Sequence, residues 1–484
     1  MLVNEQIPVR AHQLHSLRMA LICVAGALLA SLLFTMEHTF VHVTVIMMAA
    51  GVVFSVAYRW FQGQLDWFEP IHIVGLIYFV FFGLGSIWLV NDPVVIGYDR
   101  YLAQYVPRAA FYCLLGQWAM LMGYFGPLYP RGQVRRTPEW PRGWAFVGLV
   151  AGIGFVGFLA SAMVERSFHV GSRLLASLSP VAQLSPLFFF AWGLGWLLYY
   201  SGRATRLHRW VLFGGLAPAA FLVVYLTVSD KSLVMTMLGI PIIARWYGLR
   251  RIPWGVLLAL LLILVFVVFP LYNTFRWSDP HAGNAERLQV TYSKLQTWGT
   301  DTYLRFSLDA FKFRVALINS VAVIVRDTGR WVPFAKGGTI FLPTMTYLIP
   351  RYLWPDKPLA EPGREFGRRF RVTNYWSRDT SIAATIPGEL YWNFHVPGIV
   401  IGMALFGFAM RWLYRIYGEG KEMDPVRLAV HILILIQLAH FGGSIAIDAV
   451  ILLRMVVILA VVRWLGRRFD LLGSAPEPTS DAVA

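Results

Sequence analysis

The sequence predicts an all-α polytopic membrane protein of about 12 transmembrane helices with a large outward loop, and three observations carry that expectation. Of 484 residues, 57% are hydrophobic and only 14% charged, against about a quarter charged in an ordinary soluble domain. The apolar residues fall in blocks of about twenty, the helical length that crosses a ~30 Å hydrocarbon core. Lys and Arg gather at the ends of these blocks, where positive charge marks the cytoplasmic side and meets anionic headgroups.

Taken in order, the first block covers about residues 19–36. It follows a basic N-terminus and runs past signal-peptide length into a second span, so a retained helix is expected. Further spans are expected at about 39–58, 71–90, 107–128, 144–163, 181–200, 210–228, 232–247, 254–275, 396–414, 427–445 and 447–464. Alternate connections are rich in positive charge: Arg10 and Arg18, Arg131 to Arg142, Arg203 to Arg209, Arg245 to Arg251, Arg411 to Lys421, and Arg463 to Arg468. The connections between them are poorer in it, which puts both termini in the cytoplasm. The loop after Arg59 is the weak cytoplasmic member, because it carries Asp66 and Glu69. The chain thus divides into N-terminal helices (1–275), an outward loop (276–395), C-terminal helices (396–466) and a polar tail (467–484) expected to be disordered.

The loop is the informative stretch. From Phe341 to Gly398 it carries charges throughout, and Pro343, Pro350, Pro355, Pro358, Pro362, Pro387 and Pro397 rule out one continuous helix. Irregular charged backbone at membrane depth must be buried in protein or line a wet cavity, so the loop is expected to fold back on the helices and form a site. Residues 276–395 hold 16 Lys and Arg against 10 Asp and Glu. That excess opposes the topology bias and points to an anionic partner, or else to a solvated basic face. Leu308–Val325 has apolar residues at helical spacing, which fits an amphipathic or re-entrant helix at the interface, or a helix that packs the loop.

Several function classes are excluded. The formal charge of +16 comes without an RRM, zinc or helix-turn-helix pattern, so no nucleic-acid partner is expected. Cys23 and Cys113 lie inside apolar spans and suit neither metal nor disulfide. There is no Walker loop, dinucleotide fingerprint, HExxH, CxxC or paired Asp-x-Asp. No cofactor and no metal are expected, and an energised donor must arrive already attached to a carrier on the outward side.

Candidate site residues follow from charge and stiffness. Arg351 and Lys357 flank Trp354 and Pro355 in IPRYLWPDKP. A proline-braced fork and point charge suit a diphosphate, although Asp356, Glu361 or lipid phosphate would pair them equally simply. Arg276 could add a third cation, and Lys231, beside Asp230, lies on the same side. Glu389 in IPGELYWNF is a carboxylate near the membrane surface able to accept a proton, with Asp379 and His395 as rivals and a bridge to a loop Arg as the plain alternative. Trp354, Trp376, Tyr391 and Trp392 could stack on sugar faces, or simply sit at the interface. Arg364, Arg368, Arg369 and Arg371 could face the same anion but read better as a headgroup or solvated face, Asp448 and Arg454 as buried ions that either serve function or simply pack together, and His440 as a hydrogen-bonded packing histidine rather than a ligand.

The run IPRYLWPDKP, followed by PGELYWNFHVPGIVIGMALFG, resembles the bacterial O-antigen polymerases, the Wzy-type oligosaccharide repeat-unit polymerases. The motif likeness covers about sixty residues; elsewhere it lies in size, span number and the large loop. TVSDKSLVMTML is similar in place to a polar-basic turn of that family but lacks its Ser-Arg-Gly. The resemblance implies a GT-C-like glycosyltransferase of the bacterial inner membrane that polymerises undecaprenyl-diphosphate-linked repeat units at the periplasmic face. It implies neither nucleotide nor metal, and as partners the bilayer, a chain-length regulator and a flippase. An O-antigen ligase or a flippase for lipid-linked oligosaccharide is the alternative reading.

Overall fold

The computed structural model describes residues 37–91, 100–126, 138–142, 144–170, 178–202, 204, 206–226, 231–276, 284–349, 354, 361–373, 381–420, 423–440 and 443–473. The expected span at 19–36 and most of the tail lie outside them. Every other expected span is largely helical over its described residues, but the helix expected at 427–445 ends at Leu438 and the next begins at Ile445. Seven of these helices are long and apolar enough to cross a membrane: α1 (Glu37–Phe61), α2 (Pro70–Asn91), α4 (Trp144–Val170), α5 (Pro186–Tyr200, with the turn before it), α8 (Trp254–Phe275), α14 (Ile386–Tyr417) and α16 (Ile445–Arg468).

Four expected spans fall short of that measure of length and hydropathy among the described residues. They are α3 (Val106–Phe125), α6 (206–226), α7 (Lys231–Leu249) and α15 (Pro425–Leu438). The shortfall has a visible cause in α3, which is buried along most of its length and carries Gln117 inward. Its Nε2 donates to the Met48 carbonyl of α1 at 3.0 Å. α2, α6 and α8 each contain a widened π segment, at Phe79–Leu84, Val211–Leu216 and Leu264–Val268.

The core of the bundle is the pair α3 and α14, which pack together more extensively than any other two helices. Small residues permit the approach. A Cβ on Gly123 would sit 2.0 Å from the Ala404 carbonyl oxygen, and one on Gly407 would sit 2.0 Å from that of Met120. Close backbone approach of this kind replaces the hydrophobic drive that membrane helices lack.

The loop does fold back on the helices. α9 (Asn284–Thr297) and α10 (Thr300–Val315) pack along α8, and α11 (Ile318–Asp327) packs on α3 and α14. α12 (Phe341–Leu348) packs on α16, and α13 (Pro362–Arg369) follows. The single amphipathic helix expected at 308–325 is instead two helices, broken where Ala316 leaves helical geometry at ψ 56°. Its second half is buried from Ile318 to Val325, so it packs the loop and does not lie on a membrane surface. The ten residues 386–395, expected in the loop, extend the following span. Thr385 caps them by accepting from Gly388 N at 3.4 Å. His395 (φ 60°, ψ −156°), just before Pro397, then kinks α14.

At the other end of α14 two buried carboxylates tie the bundle together. Asp66 accepts from Trp246 Nε1 at 2.7 Å, Tyr247 OH at 2.9 Å, Tyr414 OH at 3.0 Å and Phe68 N at 3.1 Å. Glu69 accepts from Arg59 at 2.6 Å and Tyr124 OH at 2.7 Å, with Arg411 at 3.6 Å. A two-stranded ladder between β1 (Trp140–Pro141) and β2 (Leu472–Gly473) closes the same region, where Glu139 meets Arg463 and Arg467.

Candidate functional site

A cavity of about 630 Å³ opens where the N-terminal turn of α14 meets the α15–α16 connection, the second turn of α7 and the start of α13. Its lining is mixed: Met235, Ile436, Ile447 and Ile451 from span helices are apolar, and Thr339, Ser381, Glu389, Gln437, His440, Ser444 and Asp448 are polar. Trp392 forms part of the floor. It is held by a 3.2 Å bond from Nε1 to the Pro333 carbonyl and by an edge contact with Phe370 at 5.0 Å.

Glu389 is 1% exposed. Its Oε1 accepts from Ser444 Oγ at 3.2 Å and its Oε2 from Ile445 N at 2.8 Å. The carboxylate therefore satisfies one of the four N–H groups that open α16 and sits against the positive end of its dipole. Ser444, the N-cap of α16, makes no such bond itself; a side chain from a different helix does the capping. The expected bridge from Glu389 to a loop arginine is not formed among the described residues.

His440 ends the turn after α15, and its side chain is half exposed. Its Nδ1 lies 3.2 Å from Asp448 Oδ1 in the first turn of α16, and Asp448 is only 14% exposed. Gln437 Nε2 donates to the same oxygen at 3.2 Å, while Oδ2 is buried without a hydrogen-bond partner among the described residues. The Asp448–Arg454 packing pair is not formed: Asp448 pairs with His440, and Arg454 Nη1 reaches Gln183 Oε1 at 3.1 Å. His440 is hydrogen-bonded as expected, but it lines a cavity with half its side chain exposed. The sequence offered only an Asp and a His eight positions apart across a short connection, with nothing to say that the turn brings them together.

Other predicted residues are placed variously. Tyr391 turns away from the cavity: it stacks on Tyr112 of α3 at 5.4 Å and packs against His395 at 4.8 Å. Packing accounts for its position, and it is not among the cavity's lining residues. Trp354 is 38% exposed. Arg351, Lys357, Trp376 and Asp379 lie outside the described residues, as do the side chains of Arg276, the last residue of α8's continuation, and of Lys231, the first of α7. Met235 and Thr236, which line the cavity, lie one turn beyond Lys231. Arg364 pairs with Glu361 at 2.6 Å and Arg369 with Glu365 at 2.7 Å, in keeping with a solvated face. No group of three or more His, Cys, Asp or Glu among the described residues is placed to hold a metal ion.

The fold and apolar helices define the class: a mostly helical, polytopic membrane protein with a cavity of mixed lining at one end of α14. No family model, no curated protein and no solved structure matches the chain.

Proposed function

We propose that the chain is a membrane glycosyltransferase that polymerises undecaprenyl-diphosphate-linked oligosaccharide repeat units at the periplasmic face of a bacterial inner membrane. The observation that supports this most is the cavity and its mixed lining. Its volume, about 630 Å³, falls within the roughly 300–1,000 Å³ of ordinary ligand sites. Its apolar residues on α15 and α16 suit the lipid-proximal part of an amphiphile, and its hydroxyl, amide and carboxylate groups suit sugar hydroxyls. Trp392 adds an aromatic residue to the same lining.

In the reaction, a hydroxyl of the incoming unit attacks the anomeric carbon of the growing chain. The anomeric C–O bond to the diphosphate breaks, and undecaprenyl diphosphate leaves with the electron pair. Arg351, Lys357, Arg276 and Lys231 are the cations assigned to that leaving group, where preorganised positive charge has its largest effect. Glu389 belongs to the polar part of the lining, and neither nucleotide nor metal is required.

The test is reconstitution of the purified protein in liposomes with lipid-linked oligosaccharide extracted from source cells lacking the gene. A ladder of products on a gel supports the polymerase. A single transfer to a lipid A-core acceptor supports the ligase, and unmodified lipid moved across the bilayer supports the flippase. Arg351→Ala should abolish the ladder while the protein still elutes as a folded species.

A further inference from the structure

We infer that the proton acceptor in this site is His440 backed by Asp448, and that Glu389 positions this pair. The inference rests on the transferase reading and adds to it the group that activates the acceptor hydroxyl.

The two carboxylates and the imidazole are placed for different tasks. Glu389 is buried, and both its oxygens already accept from Ser444 and Ile445. Those donors open α16, so Glu389 fixes the start of that helix. Asp448 lies in its first turn, 3.2 Å from His440 Nδ1. Holding Ser444 and Ile445 in place therefore holds the carboxylate to which the imidazole is tied. His440 is half exposed and lines the cavity, whereas Asp448 is largely buried behind it. Of the three ionisable groups in the wall, His440 is the one an incoming sugar meets.

The chemistry follows from the 3.2 Å contact between Nδ1 and Asp448 Oδ1. A neutral imidazole that donates its Nδ1–H to the carboxylate carries its lone pair on Nε2, and the carboxylate stabilises the imidazolium that forms on protonation. As the acceptor oxygen bonds to the anomeric carbon, its proton passes to Nε2. The C–O bond to the diphosphate breaks with its electrons on the leaving group, and His440 later returns the proton to water. Gln437, bonded to the same Asp448 oxygen, restrains the carboxylate from behind. Among the described residues, the other ionisable groups that line the same cavity as His440 are Asp448 on α16 and Glu389 on α14.

The test uses the full-length protein in liposomes with the same extracted lipid-linked oligosaccharide, and reads initial rates as a function of pH. His440→Ala is expected to lower kcat by about 10²–10⁴-fold with KM little changed, and to remove the acid limb of the kcat/KM profile. Added imidazole should restore part of the rate. Asp448→Asn should lower kcat less, and Glu389→Gln should keep the acid limb. His440→Gln serves where the alanine variant does not fold. Turnover by the His440 variants within about threefold of the parent, with the acid limb intact, overturns the inference and leaves the transferase reading standing. A parent protein that yields no product overturns both.

Discussion

Replacing Glu389 separates anchoring from chemistry. In Glu389→Ala, Ile445 N loses an acceptor at 2.8 Å and Ser444 Oγ one at 3.2 Å. An unmet donor at a partly buried helix start costs about 1–3 kcal/mol, and the lost charge at the α16 N-terminus a further ~0.3–1 kcal/mol. No large cavity term applies, because the side chain already borders open space. The expected loss is therefore about 1–4 kcal/mol. Glu389→Gln behaves differently. Its amide oxygen can still accept from Ile445 N while its NH₂ donates to Ser444 Oγ, so only the charge contribution goes, about 1 kcal/mol or less. Thermal unfolding of the detergent-purified variants, followed by tryptophan fluorescence, should rank parent, Gln and Ala in that order. Equal and unshifted melting of both variants would refute the anchoring argument. If activity nevertheless vanished in both, Glu389 would be the proton acceptor itself.

The remaining expectations concern the scaffold. Gly407→Ala places a methyl 2.0 Å from the Met120 carbonyl, a backbone atom that cannot swing aside. It should cost about 1–3 kcal/mol and lower the yield of monodisperse protein on size exclusion. Arg59→Ala leaves Glu69 buried beside only Tyr124 and a longer contact to Arg411. A loss of about 3–5 kcal/mol is expected, with partial recovery on adding Glu69→Gln, read by unfolding midpoints. Asp424 caps α15 by accepting from Arg427 N at 3.0 Å, so Asp424→Ala should cost about 1 kcal/mol and Asp424→Asn little. Burial pushes the Asp424 carboxyl above the usual carboxylate range. The folded chain therefore holds this proton to higher pH than the unfolded chain, and stability falls as pH rises through that interval. The Asn variant should lose this part of the slope in melting curves taken across mildly acidic pH.

Much of the scaffold was legible in the sequence because spanning helices need nothing beyond a long apolar run. The expected spans on described residues are largely helical, apart from 439–444, where the break between the last two helices falls. What composition hid was where helices end. Prolines and charge made 386–395 look like loop, yet Thr385 (φ 67°, ψ 155°) caps a helix there. Pro387 falls in its first turn, where a missing N–H costs nothing. Glu389 stood out as an acid beside an apolar run, but its partners lie 55 and 56 residues onward and no local pattern names them. Asp66 and Glu69 looked like a blemish in a positively charged connection. Their meaning is tertiary, since the donors at Tyr124 and Tyr414 are 55 and 348 residues away. The His440–Asp448 contact went unread because helical periodicity breaks between the two.

The Asp66 knot also bears on how the cavity can change shape. α7 lends Met235 and Thr236 to the cavity wall, while three turns further along Trp246 and Tyr247 are pinned to Asp66 together with Tyr414 of α14. Pro241 lies between these ends and leaves one rung of the helix ladder unmade. Admitting a bulky ligand thus costs least if the near half of α7 leans outward from Pro241, like a door post footed in masonry. The far half keeps the bundle closed at its other end while the near half yields.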